Sequence, residues 1–279
     1  MGSQPSLSGR TSNIMSLFFM GLHPTWQRYK FLPDGINTMF SASAFTARFL
    51  KDGKWPRWRF FPFAGRTWAD GGGFNLLNLY GEYPFTVANW MNLVAFLGAD
   101  YCATLDYPCE PDISRQLGLM TNEDRLQATV ERARECLEYS EMLDTQIVPV
   151  IQGFSLGEYR RCIDLHSRAG TIREYMAVGS MCRRLSSNKL HELIPGIYSH
   201  ARQAGVKRLH FFGLKADRAL GDLSEFIWSR DSAAVLDSRN ADLRKQRKGR
   251  RFPRGQAEKQ LVVADFLKTL EKMELQYLK

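Results

Sequence analysis

Residues 121–153 read TNEDRLQATVERARECLEYSEMLDTQIVPVIQG. The opening Thr121-Asn122-Glu123-Asp124 resembles a capping box, a hydroxyl that accepts a backbone N–H three residues on and an acid that answers it. Leu126, Val130, Ala133 and Leu137 then recur along one face, which predicts an amphipathic helix. That helix runs into Ile147–Ile151, an apolar run too short for a helix and closed by Gln152-Gly153, which predicts a buried strand. A helix that hands the chain to a strand apolar on both faces is half of a βαβ unit in a parallel sheet.

The same alternation extends in both directions. Ile14–Met20 reads as a first buried strand, and further short apolar runs follow at Thr67–Ala69, Tyr101–Leu105, Tyr175–Val178, Arg208–Phe212 and Phe226–Trp228, separated by segments of helical character. With 279 residues, the chain has the size of one α/β domain closed into a TIM-type (β/α)8 barrel. Residues 1–12, rich in Ser, Gly and Pro, read as a flexible lead-in and residues 13–240 as the barrel. Residues 241–279 read as a basic arm followed by a closing helix with Val263, Leu267, Leu270 and Tyr277 on one side.

Lys and Arg number 38 against 29 Asp and Glu, a formal charge of +9, so the molecule should attract polyanions, nucleic acid first among them. Arg244, Lys245, Arg247, Lys248, Arg250 and Arg251 follow one another without a balancing acid; such a run binds phosphates without reading sequence, or is a solvated linker. The five cysteines are scattered, with no paired spacing of a zinc site or disulfide framework, which suits a reducing cytoplasm. No stretch has the apolar length of a membrane span, and the N-terminus does not read as a secretory leader.

In a parallel barrel the chemistry gathers where strands end and loops begin. The strand ends here are Asp70-Gly71-Gly72-Gly73-Phe74, Asp106, Gln152-Gly153, Gly179-Ser180 and Gly213, with Asp231-Ser232 shortly after Trp228. Acids, an amide and glycines converging on one pocket suit a purine: carboxylates accept from its N–H groups, glutamine addresses its carbonyl, and glycines admit a flat ring. They also suit glycosidic chemistry, in which one carboxylate attacks the sugar carbon and another acid serves the leaving base. Spacing leaves blander roles open: Asp70 and Asp106 would also serve in turns, and Asp231 as a helix N-cap.

Taken in order, Asp70-Gly-Gly-Gly-Phe74, Leu105-Asp106-Tyr107-Pro108, Pro149-Val150-Ile151-Gln152-Gly153, Gly179-Ser180-Met181-Cys182-Arg183-Arg184, His210-Phe211-Phe212-Gly213 and Asp231-Ser232-Ala233 resemble the tRNA-guanine transglycosylase superfamily. The resemblance covers residues 14–240 and is greatest to the 7-deazaguanine DNA transglycosylases of bacterial DNA-modification clusters and phages. It implies that Asp231 is the nucleophile and Asp70 the general acid/base. Asp106 would read the base's N1–H and exocyclic amine, with Gln152, Gly153, Gly179 and Ser180 on its O6 side. Phe74 would stack on the base and Gly213 leave room at the sugar, while Arg183 and Arg184 would contact the target strand. Phe74 or Trp228 is expected to hold an extruded base. The partners implied are DNA, or tRNA as the alternative, and a free 7-deazaguanine base such as 7-cyano-7-deazaguanine. A helper that opens the duplex stays open, as do monomer and homodimer. No cofactor is implied, and the Cys-rich zinc insertion of tRNA-acting members has no matching cysteine cluster here. A non-catalytic nucleic-acid-binding barrel and an unrelated barrel hydrolase are the competing readings.

Overall fold

The structure, a computed structural model, describes residues 16–22, 35–55, 65–114, 120–181, 187–214 and 223–232, with Leu267, Lys268 and Glu271 near the C-terminus. The boundaries expected near residues 12 and 240, and the basic run 244–251, lie outside the described residues.

Nine parallel strand runs form one sheet in the order β5-β4-β3-β2-β1-β9-β8-β7-β6. They are β1 (Leu17–Leu22), β2 (Thr38–Ser41), β3 (Thr67–Asp70), β4 (Tyr101–Ala103), β5 (Gln146–Val148), β6 (Val150–Ile151), β7 (Tyr175–Val178), β8 (Arg208–Phe211) and β9 (Ser229–Ser232). Only Pro149 separates β5 from β6. The two ends of the sheet are therefore one strand, and the nine runs amount to eight strand positions of a closed barrel.

Hydrogen bonding explains the break. Even-numbered residues here face β4, where Val148 accepts from the Thr104 N–H and the Val150 N–H donates to the Thr104 hydroxyl. Odd-numbered ones face β7, where Pro149 and Ile151 accept from the N–H groups of Ala177 and Gly179. Pro149 lacks only the donor that would point to β7, so the barrel tolerates it while the strand-assignment pattern is interrupted.

The two-residue period of the strands sorts their side chains. Leu17, Phe19, Met39, Trp68, Val148, Val150 and Tyr175 fill the barrel, whereas Phe18, Met20, Phe40 and Ile147 face one outer cluster and Ile151, Met176, Val178 and Phe211 a second. Both faces are buried, which is why the strands read as continuous apolar runs. The interior is unusually aromatic: Trp68 stacks on Tyr101 with centroids 5.3 Å apart and on His210 at 4.2 Å.

The outer layer contains α1 (Ser43–Asp52), α2 (Gly73–Tyr80), α3 (Val87–Leu97), the short α4 (Pro111–Ser114), α5 (Asn122–Leu137), α6 (Leu156–Arg168) and α7 (Ser187–Gln203). Thr121 and Asp124 close the capping box read from the sequence, and Leu126, Val130 and Ala133 are buried on the α5 face expected. Two expectations change. Thr38–Ser41 is a strand that the sequence reading missed. The last strand is displaced from Phe226–Trp228 to Ser229–Ser232, because residues 223–226 form a tight turn that buries Leu223 and Ile227. Among the described residues no helix is long and apolar enough to cross a membrane.

Candidate active site

A cleft of about 150 Å³ opens at the C-terminal ends of the strands, lined among others by Asp70, Phe74, Asp106, Gln152, Gly213 and Asp231. It is smaller than the roughly 300–1,000 Å³ of drug-sized sites, so it takes one ring system at a time. A larger groove of about 680 Å³ between α3 and α5 contains none of the residues expected at the site.

Asp231 lies within β9, paired with Phe19 of β1, and is 7% exposed. Its Oδ1 accepts from the Gly213 N–H at 2.9 Å and lies 3.3 Å from His210 Nε2. Burial lowers the pKa of His210, with Asp231 opposing, so the imidazole is neutral and carries one proton. An ionised Asp231 can only accept, which puts that proton on Nε2. Nδ1 then accepts from the Ser229 hydroxyl at 2.8 Å, and Ser229 accepts from the Tyr175 hydroxyl at 2.7 Å. A directed chain from Tyr175 through Ser229 and His210, its ring stacked on Trp68, thus fixes Oδ1. Oδ2 has no hydrogen-bond partner among the described residues and carries the free lone pairs.

Asp70 ends β3 and is partly exposed to the cleft. Burial raises its carboxyl to about 6, with the Gly72 N–H lowering it, the Asp231 charge raising it and the Ser41 hydroxyl lowering it. A carboxyl near 6 exchanges protons at neutral pH, as acid–base work requires.

Asp106 is held from behind by Tyr83, whose hydroxyl donates to the Asp106 carbonyl at 2.8 Å and accepts from its N–H at 3.1 Å. Burial pushes the Asp106 carboxyl up to about 8; the Asp70 charge adds to this, the Gln152 amide opposes it, and the Glu110 charge raises it further. Raised in the fold from an ordinary 3.8, Asp106 favours folding fully only below that ordinary value and forfeits the contribution as pH climbs through about 8. Asp106→Asn should therefore stabilise the fold at pH 8 by at least about 1 kcal/mol. The gain should shrink toward zero near pH 4, which urea melts at the two pH values measure; a gain independent of pH would contradict the assignment.

Gln152 follows β6, with its amide against Asp106 and Ser180. Ser180 has φ +55° and is the only non-glycine residue with positive φ among the described residues; strain of this kind collects at functional sites. Its hydroxyl lies 2.7 Å from Gln152 Oε1 and 2.6 Å from Glu110 Oε2, while the Tyr159 hydroxyl donates to the Gly179 carbonyl at 2.7 Å. A Cβ on Gly179 would come within 2.1 Å of Gln152 Nε2. Gly179→Ala must displace that amide, and affinity for the purine base expected from the sequence should fall by about 10–100-fold, the loss of one or two hydrogen bonds to a buried polar group. Calorimetric titration with a purine base checks this.

The structure brings Asp70, Phe74, Asp106, Gln152, Gly179, Gly213 and Asp231 together around one cleft. Ser180 acts from behind Gln152. Gly153 packs instead against α6, where a Cβ would come within 2.7 Å of the Tyr159 backbone nitrogen. Trp228 precedes β9 and packs on Tyr175 at 4.3 Å in the barrel interior, at the strand beginnings and away from the cleft, so of the two expected base holders only Phe74 lines it. Arg183, Arg184 and the run Arg244, Lys245, Arg247, Lys248, Arg250 and Arg251 lie outside the described residues. Sequence reading missed Met39, Tyr83 and Glu110 and gave no role to His210. Glu110 carried the only available signal, an acid four residues beyond Asp106 in the same loop.

The chain is similar to the tRNA-guanine(15) transglycosylase of Haloferax volcanii, 25% identical over 155 residues that make up 54% of this chain and 28% of the relative. It is similar also to the tRNA-guanine(15) transglycosylase of Methanothermobacter thermautotrophicus, 28% identical over 151 residues, 54% of this chain and 22% of the relative. The match thus spans about a quarter of the length of these curated relatives. The family model for DpdA, described as DeoxyPurine in DNA protein A, matches residues 41–245. With that match extending over most of the barrel, the chain belongs to the DpdA family.

Proposed function

We propose that this chain is a base-exchange transglycosylase that replaces guanine in DNA with a 7-deazaguanine, such as 7-cyano-7-deazaguanine, through an ester between Asp231 and the sugar. The observation that carries this reading is the cleft itself: a single-base volume flanked by a carboxylate oxygen of Asp231 that has no partner among the described residues and by Asp70, with Asp106 and Gln152 on its wall. Asp231 Oδ2 forms a bond to C1′ as the bond from C1′ to the base breaks, and Asp70 gives its proton to the departing guanine. The emptied cleft then admits the second base, whose N9 proton passes to Asp70 as N9 attacks C1′ and releases the Asp231 carboxylate. One cleft of this size serves both bases in turn. A deazapurine has one fewer basic ring nitrogen to protonate, which makes it the poorer leaving group and favours its retention.

DNA is proposed as the polymer because the family description names it. A tRNA substrate is the second reading, favoured by the names of the curated relatives. Arg183, Arg184 and the basic run from Arg244 to Arg251 are proposed to hold phosphates, with an affinity that falls steeply as salt rises. The target nucleotide must be extruded or unpaired, because C1′ is shielded within a duplex. Labelled guanine incubated with the protein and a DNA oligonucleotide should enter the polymer. Guanine release without incorporation would instead identify a hydrolase, and neither event would fit a non-catalytic barrel.

A further inference from the structure

Behind the base wall, four side chains form one hydrogen-bonded series: Asp106, Gln152, Ser180 and Glu110. Three contacts join them: Asp106 Oδ2 to the Gln152 amide, the other end of that amide to Ser180 Oγ at 2.7 Å, and Ser180 Oγ to Glu110 Oε2 at 2.6 Å. The Cys109 N–H also donates to Ser180 Oγ, at 3.1 Å, and brings its own hydrogen. Each of the three contacts needs one hydrogen. The amide can serve one of its two contacts and the hydroxyl one of its two, which makes two hydrogens for three contacts.

With the amide nitrogen toward Asp106, Ser180 must donate to Gln152, and Glu110 must supply the missing hydrogen as a neutral acid. With the amide turned, Gln152 donates to Ser180, Ser180 donates to Glu110, and Asp106 must be the neutral acid. Either way the series contains one carboxyl proton and a net charge of minus one. All four residues are buried; Gln152 is 1% exposed and Glu110 3%, so a missing hydrogen has no ready replacement from bulk water.

We propose that Glu110, acting through Ser180 and Gln152, sets the polarity of Asp106 and so determines which edge of a purine the cleft accepts. With Gln152 Nε2 toward Asp106, the orientation in the structure, the proton rests on Glu110 and Asp106 is the anion that a base offering N–H groups requires. Where the amide is turned and the proton rests on Asp106, such a base moves one proton off Asp106 and one onto Glu110, and Gln152 and Ser180 reverse direction with no net change. Glu110 is thus a positioning residue for a donor-bearing purine edge, a role that rests on Asp106 being the base reader, whereas the proton count does not. Among the described residues, the ionisable groups facing the series include Asp70 from β3, Tyr83 behind Asp106, and Cys162 from α6, with Glu158 from α6 and Arg125 from α5 acting on Cys109 beside Glu110. Burial, with the Asp70 charge, raises Asp106 to about 8, so once the series is cut a proton stays on Asp106 at pH 7.

Two measurements test this. Infrared difference spectra of wild type minus Glu110→Gln at pH 7.5 should show one carboxylic-acid carbonyl band lost, because a glutamine amide at 110 supplies the third hydrogen itself. Identical acid regions would overturn the proton count. Calorimetry with 9-methylguanine in two buffers of different ionisation enthalpy should show almost no proton release on binding to wild type. Ser180→Gly, which removes the hydroxyl at a position already in left-handed conformation, cuts the series and should release close to one proton per base bound at pH 7. A full proton released by wild type, or none by Ser180→Gly, would overturn the role of Glu110. If 9-methylguanine binds no form of the protein, the base-reading proposal fails, and the infrared result still decides the proton count.

Discussion

Asp231→Asn should abolish base exchange, with a loss of about 10⁴-fold or more in single-turnover guanine release, the scale seen when an enzyme loses its covalent nucleophile. The substitution is close to isosteric. Asn Oδ1 can still accept from the Gly213 N–H and from His210 Nε2, the contacts that hold Asp231 now, so the barrel and the base wall should persist. What is lost is specific: the amide nitrogen takes the place of Oδ2 and has no lone pair to attack C1′. Wild type should yield a denaturation-resistant protein–DNA adduct in the absence of an incoming base, and the variant none. Release within tenfold of wild type, or an adduct mapping to another residue, would show that Asp231 is not the nucleophile.

Asp70→Asn should cost about 10²–10⁴-fold in the same assay, the range for loss of a general acid. The two losses should differ in pH dependence. In the proposed exchange, expulsion of guanine requires Asp70 protonated, and its carboxyl is raised to about 6. Release by wild type should therefore fall roughly tenfold per pH unit above that value, as for a single required proton. Capture of the incoming base in that exchange requires Asp70 ionised and should rise roughly tenfold per pH unit below about 6 and level off above it. Asp70→Asn should remove both limbs and leave a slow rate insensitive to pH between 5 and 8. A variant that retains the wild-type limb would assign the proton to another group.

Much of the molecule was legible in the sequence because parallel strands and their helices leave strong local signals. The capping box at Thr121 and the buried face of α5 are fixed by residues within a few positions of one another, and the strands around Val148 and Ala177 read clearly because both faces are buried. β2 was not legible: Asn37 and Thr38 look like loop residues until Asn37 Oδ1 is seen accepting from the Arg66 N–H at 3.0 Å, a partner 29 positions away. The misplacement of β9 has a similar origin. Phe226 and Ile227 are apolar because they pack beneath a turn, and periodicity does not separate that from a strand.

For the site, strand-end position located Asp70, Asp106, Gln152, Gly179 and Gly213, whose place in the cleft follows from barrel geometry alone. Tyr83, Glu110 and His210 were illegible for the opposite reason, since each acts on a residue brought to it by closure of the barrel. His210 reaches Asp231 across 21 positions, and Glu110 reaches Ser180 across 70. Apart from the place of Glu110 four residues beyond Asp106, such supporting contacts leave no pattern in a single sequence.

Mass spectrometry of nucleosides digested from duplex DNA and from tRNA, after each is incubated with the protein and 7-cyano-7-deazaguanine, decides both reaction and polymer. The deazapurine deoxynucleoside should appear in the DNA digest, with an equal amount of guanine released and none of either with Asp231→Asn. A deazapurine nucleoside in tRNA alone, with DNA unchanged, would contradict the proposed substrate.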